Sequence, residues 1–141
     1  MRKKKMRAVV IGCGTLGAHV ANLLVEAGYA VGAVDVEATA FRRLPLLYGG
    51  ETVEGDGTEL AVLRNAKVED ANLVVATTRE DNANLMIAQV AKAEFRVPRV
   101  FARVHDPERE PLCRRLGVDP ICPSSVAVDI TMQAIREGGG Q

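Results

Sequence analysis

Ala8-Val9-Val10-Ile11-Gly12-Cys13-Gly14-Thr15-Leu16-Gly17 is the stretch that decides the fold of this 141-residue chain. Four apolar residues read as a short strand, three glycines follow, and apolar residues at helical spacing begin where the glycines end. A dinucleotide site needs that order. Gly12 permits the tight turn, Gly14 lets backbone approach a pyrophosphate, and Gly17 lets the helix pack closely on the strand. The helix N-terminus then faces the phosphate charge. Asp35 closes a second apolar stretch, Val31-Gly32-Ala33-Val34-Asp35, about eighteen residues beyond Gly17. A carboxylate there accepts hydrogen bonds from ribose hydroxyls and repels a 2′-phosphate, which disfavours NADP.

Outward from this unit, strand-like and helix-like segments alternate along the whole chain. The pattern predicts an α/β fold, a Rossmann-type doubly wound parallel sheet of about six strands in a three-layer αβα arrangement. Strands are expected at 7–12, 30–35, 51–54, 72–76, 99–104 and 119–121. Helices are expected over Thr15–Ala27, Thr39–Tyr48 with Pro45 fraying its later part, Thr58–Ala66 and Asp81–Phe95. Asp106-Pro107 is a helix start with Asp as N-cap and Pro at the first position, but Pro111 makes a kinked or two-step element the alternative. A last helix, Ser124–Arg136, carries Val126, Val128, Ile130, Met132 and Ile135, an apolar face wider than one domain needs. The nucleotide-binding domain is expected to span 7–121, a crossover helix 122–137, and flexible tails 1–6 and 138–141.

The bulk properties bound the function. The length fits one domain and leaves no room for a separate substrate domain. Formal net charge is zero with 26% charged residues, which gives no argument for nucleic acid as a partner. Cys13, Cys113 and Cys122 are odd in number and lack metal-ligand spacing, fitting a reducing cytosol. No apolar run reaches the ~20 residues of a membrane span, and the one after the basic start Met1–Arg7 ends at Gly12, too short for a signal peptide. That basic start reads as a solvated tail, with contact to acidic lipids or an acidic partner as the alternative.

Three further elements fall at carboxyl ends of strands, where open α/β sheets bind ligands. Glu54-Gly55-Asp56-Gly57-Thr58 is either a base- or ribose-facing turn or only a capped turn. Ala76-Thr77-Thr78-Arg79-Glu80-Asp81-Asn82-Ala83-Asn84 is a polar loop that lines the site or only caps a helix. Arg103 ends the apolar strand Val100-Phe101-Ala102-Arg103, where a guanidinium takes either a ligand phosphate or a salt bridge. Catalytic machinery is missing from the pattern. His19 sits within a helix, and His105 has no carboxylate partner nearby in sequence and no nucleophile to serve.

Together these motifs resemble the N-terminal domain of the regulators of potassium conductance, the RCK or KTN type of Trk and Ktr potassium-uptake systems. The resemblance covers almost the whole chain and rests on the glycine loop, Asp35, Val53–Thr58, Asp81–Leu85, the string Val97–Pro107 and Ile121-Cys122-Pro123. It implies a cytoplasmic, non-enzymatic domain that binds NAD(H) or ATP, ADP or AMP. It also implies a homodimer, or a higher ring, beneath a membrane potassium-transporter pore subunit, peripheral to the membrane without inserting into it. Carried over by position, Gly12, Cys13, Gly14, Thr15, Leu16 and Gly17 hold phosphates, and Asp35 and Val36 meet the ribose. Asp56, Gly57 and Thr58 lie by the adenosine end, while Thr77, Thr78, Asp81 and Asn84 line the pocket or stand beside it. Arg103 reaches the distal phosphates, and Ser124–Arg136 resembles the helix that packs on a neighbouring subunit. His105 departs from the family's usual tyrosine, Glu80 from its aspartate, and Pro111 interrupts the following helix. The C-terminal ligand-binding domain that full-length regulators append is not in this sequence, which fits either an excised domain or a short stand-alone regulator. The rival readings are an NAD-dependent oxidoreductase or its cofactor half, in which His105 alone could serve as proton donor, and a stand-alone redox or nucleotide sensor.

Overall fold

The computed structural model describes residues 5–138. Six parallel strands form one sheet in the order β3-β2-β1-β4-β5-β6. They are β1 Arg7–Ile11, β2 Ala30–Asp35, β3 Glu51–Glu54, β4 Leu73–Ala76, β5 Arg99–Arg103 and β6 Asp119–Ile121. β1 pairs with β2 on one side and β4 on the other, so the chain reverses its direction of travel across the sheet at the β1–β4 seam. β1 and β4 are buried at every residue. That burial is why Ala8–Ile11 and Leu73–Ala76 read as unbroken apolar runs rather than alternating ones.

Alternation reappears in which layer each residue feeds. Val9, Ile11, Val34, Val74, Val100 and Ala102 pack on one side with Leu63 of α2 (Leu60–Asn65), Ile87 of α3 (Asp81–Ala93) and Cys113 of α4 (Glu110–Arg115). Ala8, Val10, Val31, Ala33 and Val75 pack on the other with Ala18 and Ala21 of α1 (Thr15–Glu26). The predicted three-layer Rossmann-type sheet is therefore the observed one.

Several predicted boundaries shift. Thr39–Tyr48 is not a helix: a 3-10 turn covers Ala38–Arg43 and then ends. Pro45 forces Leu44 into extended backbone (φ −74°, ψ 144°), and Leu46 and Leu47 beyond it are fully exposed, so no buried face holds a longer helix. The helix expected from Thr58 starts at Leu60, because Thr58 is held in the preceding turn by Asp56. The two-step alternative at Asp106-Pro107 is the one observed: a 3-10 turn at Pro107–Arg109 runs into α4, with Asp106 accepting from the Glu108 N–H at 2.9 Å. The last helix, α5, spans Pro123–Gly138 and buries none of its residues. Of the expected flexible tails, 1–4 and 139–141 lie outside the described residues. Within them, the Met6 carbonyl accepts from the Ala30 N–H at 2.8 Å, and Gly138 closes α5.

Candidate functional site

An open cleft of about 1510 Å³ lies at the carboxyl edge of the sheet, over the β1–β4 seam. Gly12 leaves β1 with φ +102°, a conformation that favours glycine, and a Cβ there would meet the Thr77 carbonyl and the Thr78 nitrogen. Gly17 presses its α-carbon against the Gly12 carbonyl, so a side chain at Gly17 would separate α1 from the sheet. Gly14 differs. A Cβ built on it meets nothing within 4 Å, and α1 begins there with no side chain capping its first turn. Thus the loop offers uncapped N–H groups beside open space, the arrangement that receives phosphate oxygens.

Asp35 is fixed at the end of β2 by two bonds. Its Oδ2 accepts from the Cys13 N–H at 2.8 Å and its Oδ1 from the Glu37 N–H at 2.9 Å. Each oxygen retains a lone pair, so the carboxylate can still accept from a diol. Cys13 contributes only backbone, since its thiol is buried in the α1 layer; burial first, and the Asp35 charge second, push that thiol up despite opposition from Arg43. After β3, Asp56 Oδ1 accepts from the Thr58 N–H at 2.8 Å and the Thr58 hydroxyl at 2.7 Å, and these bonds hold its carboxyl below the usual range. Asp56, Gly57 and Thr58 all line the cleft.

The loop after β4 contributes Thr77 and Thr78 to the lining. Among the described residues the buried Thr77 hydroxyl has no hydrogen-bond partner, and neither has Arg103 Nε. These two orphaned polar atoms on lining residues, together with the open Gly14 cradle, fit a phosphorylated nucleoside. Arg103 Nη2 lies 2.8 Å from His105 Nε2, and His105 Nδ1 lies 2.6 Å from Asp81 Oδ1.

Asn84 and Asp81 stand behind the cleft rather than in it. Asn84 is fully buried: its Oδ1 accepts from the Thr78 N–H (2.8 Å) and hydroxyl (2.7 Å), and its Nδ2 donates to the carbonyls of Thr78 (3.1 Å) and Arg103 (2.9 Å). It therefore fastens the β4 loop to the end of β5. Asp81 opens α3 and accepts from both the backbone N–H (2.8 Å) and the ring of His105. Burial pushes the Asp81 carboxyl up, but the backbone and ring hydrogen bonds of His105, aided by nearby positive charge, outweigh it and leave the group below the usual carboxylate range. The reading of His105 as lacking a carboxylate partner is thus corrected: Asp81 is that partner, 24 residues away in sequence.

Sequence reasoning missed part of the wall. His19 and Leu23 follow Thr15 at spacings of four on α1 and face the cleft beside Leu16 and Val20. Arg42 and Arg43 reach it from the 3-10 turn beyond Val36. The i, i+4 repeat was a usable signal for the first group; the turn's misassignment as a helix hid the second. Among the described residues no group of three or more His, Cys, Asp or Glu could hold a metal ion.

Such a cleft, at the switch point of an open parallel sheet, is that of a Rossmann-type nucleotide-binding domain. Residues 8–123 match the family model of the TrkA-N domain, and the chain belongs to that family, as its motifs led us to expect. It is 34% identical over 136 residues to the Trk system potassium uptake protein TrkA of Streptomyces coelicolor, covering 96% of this chain and 61% of that protein. It is 30% identical over 116 residues to a TrkA homolog of Methanothermobacter thermautotrophicus, covering 82% and 53%. The chain thus spans about half to three-fifths of the length of these relatives.

Solved structures share its fold. The TrkA-N domain of inner membrane protein ybaL from Escherichia coli superposes with TM-score 0.82 at 16% identity, covering 95% of this chain and 99% of that one. The Kef C-terminal domain of Shewanella denitrificans in AMP-bound form gives 0.78 at 23%, covering 96% and 83%. GsuK bound to ADP gives 0.78 at 22%, covering 94% and 34%, and the GsuK channel bound to NAD gives 0.69 at 18%, covering 87% and 22%. At these identities the likeness is one of fold.

Proposed function

We propose that this chain is a nucleotide-sensing regulatory domain of a potassium-uptake system that binds NAD(H) or ATP, ADP or AMP without turning it over. The observation that carries the reading is the pairing of the open Gly14 cradle with Asp35, tied to the same loop through the Cys13 N–H. Phosphates sit at the α1 N-terminus and the ribose hydroxyls donate to Asp35, while Arg103 meets phosphates beyond the first. A 2′-phosphate on that ribose faces the Asp35 carboxylate, so NADP is disfavoured. Membership of the TrkA-N family and the Trk-system names of the curated relatives support potassium uptake as the process regulated. Structures of the same fold bound to AMP, ADP and NAD support an adenine nucleotide as the ligand.

Regulation follows from assembly. α5 exposes Val126 and Ile130 on one side and Val128, Met132 and Ile135 on the other, an apolar surface that packs on a second copy of the chain to form a homodimer, alone or within a ring. The assembly sits on the cytoplasmic side against a pore subunit; among the described residues no helix is long and apolar enough to cross a membrane. The chain gates the pore by holding nucleotide more tightly in one arrangement of its copies than in the other, since equal affinity for both would shift nothing. His105 does not favour an oxidoreductase, because Asp81 and Arg103 engage both of its ring nitrogens.

Isothermal titration with NADH, NAD, ATP, ADP and AMP tests the proposal. Saturable binding of at least one ligand, recovered chemically unchanged, supports it. Absence of binding by all five, or consumption of reduced cofactor with a small-molecule substrate, refutes it.

A further inference from the structure

The chain Asp81–His105–Arg103 ends inside the cleft, but only its last member lines the cavity. An arginine side chain has donors and no acceptor, so the 2.8 Å contact between Arg103 Nη2 and His105 Nε2 requires a lone pair on Nε2. The imidazole is therefore neutral in this arrangement, and its proton is on Nδ1, donating to Asp81 Oδ1. Asp81 also accepts the His105 backbone N–H, so the ring is fixed in both place and tautomer. We propose that His105 is a pH-responsive positioning residue for Arg103: neutral, it retains the guanidinium as a hydrogen-bond donor; protonated, it releases it toward ligand phosphate.

The charges around the ring favour this switch. Asp81, from the start of α3, compensates one positive charge, and Arg109, from the 3-10 turn before α4, adds another in the neighbourhood while its Nη1 donates to the Asn82 side chain at 2.7 Å. Asp106, next in the chain, turns its carboxylate to the Glu108 N–H. Cys122, packed from the far side, donates its thiol to the His105 carbonyl at 3.8 Å and leaves the ring alone. Protonation of Nε2 removes the acceptor that Arg103 Nη2 has among the described residues and sets two cations side by side with one carboxylate. That imbalance is relieved by an anion in the cleft that Arg103 lines. Release of Arg103 is thus a proton-driven step of the kind a histidine side chain supplies. Its consequence is selective. Nucleotides whose phosphates reach Arg103 gain affinity on acidification, and those with a single phosphate at the glycine loop do not.

The inference rests on the nucleotide reading of the cleft. The test is ADP and AMP titration of the full chain, native and with His105→Gln or His105→Tyr, from about pH 8 to about pH 5.5, repeated in an Arg103→Ala background. Neither replacement titrates over that range, and each variant meets the same protonation of the ligand, so the native-to-variant ratio isolates the ring. For ADP that ratio should rise about three- to tenfold on acidification, while for AMP it stays flat. With Arg103→Ala the rise should vanish. Parallel native and variant profiles for ADP, or a rise that persists without Arg103, overturn the inference while leaving nucleotide binding intact. Failure of the native chain to bind either ligand, NAD or ATP overturns the nucleotide reading and this inference with it.

Discussion

The Cys13 backbone N–H donates to Asp35 Oδ2 at 2.8 Å, so the acid ending β2 is fastened to the glycine loop leaving β1. The carboxylate proposed to meet the ribose thus also sets the shape of the glycine loop. An Asp35→Ala change therefore removes a ligand contact and loosens the loop together. Losing hydrogen bonds to a charged group costs about 1.5–3 kcal/mol, so affinity for NAD, ATP, ADP and AMP should fall about tenfold to a hundredfold alike. Titration calorimetry reads this, and retention of native affinity for any one of them would remove Asp35 from the site.

Gly14 and Gly17 separate binding from folding. Gly14→Ala places a methyl in open space at φ −74°, a conformation alanine adopts freely, so unfolding should stay within about 0.5 kcal/mol of native while nucleotide affinity drops. Gly17→Ala drives a methyl into the Gly12 carbonyl, and the chain should lose several kcal/mol, on the order of other overpacked sites, or fail to fold. Urea unfolding of both variants decides; equal stability losses would contradict the geometry.

Arg103→Ala should weaken ATP more than AMP, because the guanidinium lies beyond the glycine loop at the end of β5. Equal losses for the two ligands would show that Arg103 serves only its neighbours.

The Asp81 carboxyl is held below its ordinary range by His105, so the folded chain binds fewer protons there than the unfolded chain near pH 4. Its stabilisation is present above that range and is lost as pH falls through the lowered value. The stability gap between native chain and Asp81→Asn should accordingly be full above about pH 5 and shrink below about pH 4. A gap unchanged down to about pH 3 in urea titrations would contradict the assignment.

Ile130 is 63% exposed in the middle of α5. Ile130→Glu leaves the fold of one chain untouched, since the helix buries nothing against its own domain, and should shift sedimentation from dimer to monomer. An unchanged profile would discard α5 as the dimer contact.

The centre of the sheet was legible because β1, β2 and β4 are short, mainly apolar runs ended by Gly12, Asp35 and Thr77, whose chemistry marks both the boundary and the candidate site. Local pattern failed where a long-range partner decides the outcome. The gap between two strands predicts a helix over Thr39–Tyr48, yet Leu46 and Leu47 have no layer to enter and Pro45 ends regular backbone. The Asp81–His105 pair depends on α3 starting beside the end of β5, a juxtaposition set by sheet order rather than by spacing along the chain. Asn84 had the residue type of a ligand contact, and only its four bonds to Thr78 and Arg103 show that it holds the wall from behind.

The cleft draws its lining from Ile11, near the start of the sequence, to Arg103, in its last third. A molecule that fills it works as a removable cross-link between early and late parts of the chain, and mass action then ties heat resistance to ligand supply. At a hundredfold excess over its dissociation constant the gain is about 2.7 kcal/mol, worth on the order of 10 °C in melting temperature for a domain of this size. Thermal lifetime then becomes a gauge of the concentration of whatever molecule fills the cleft.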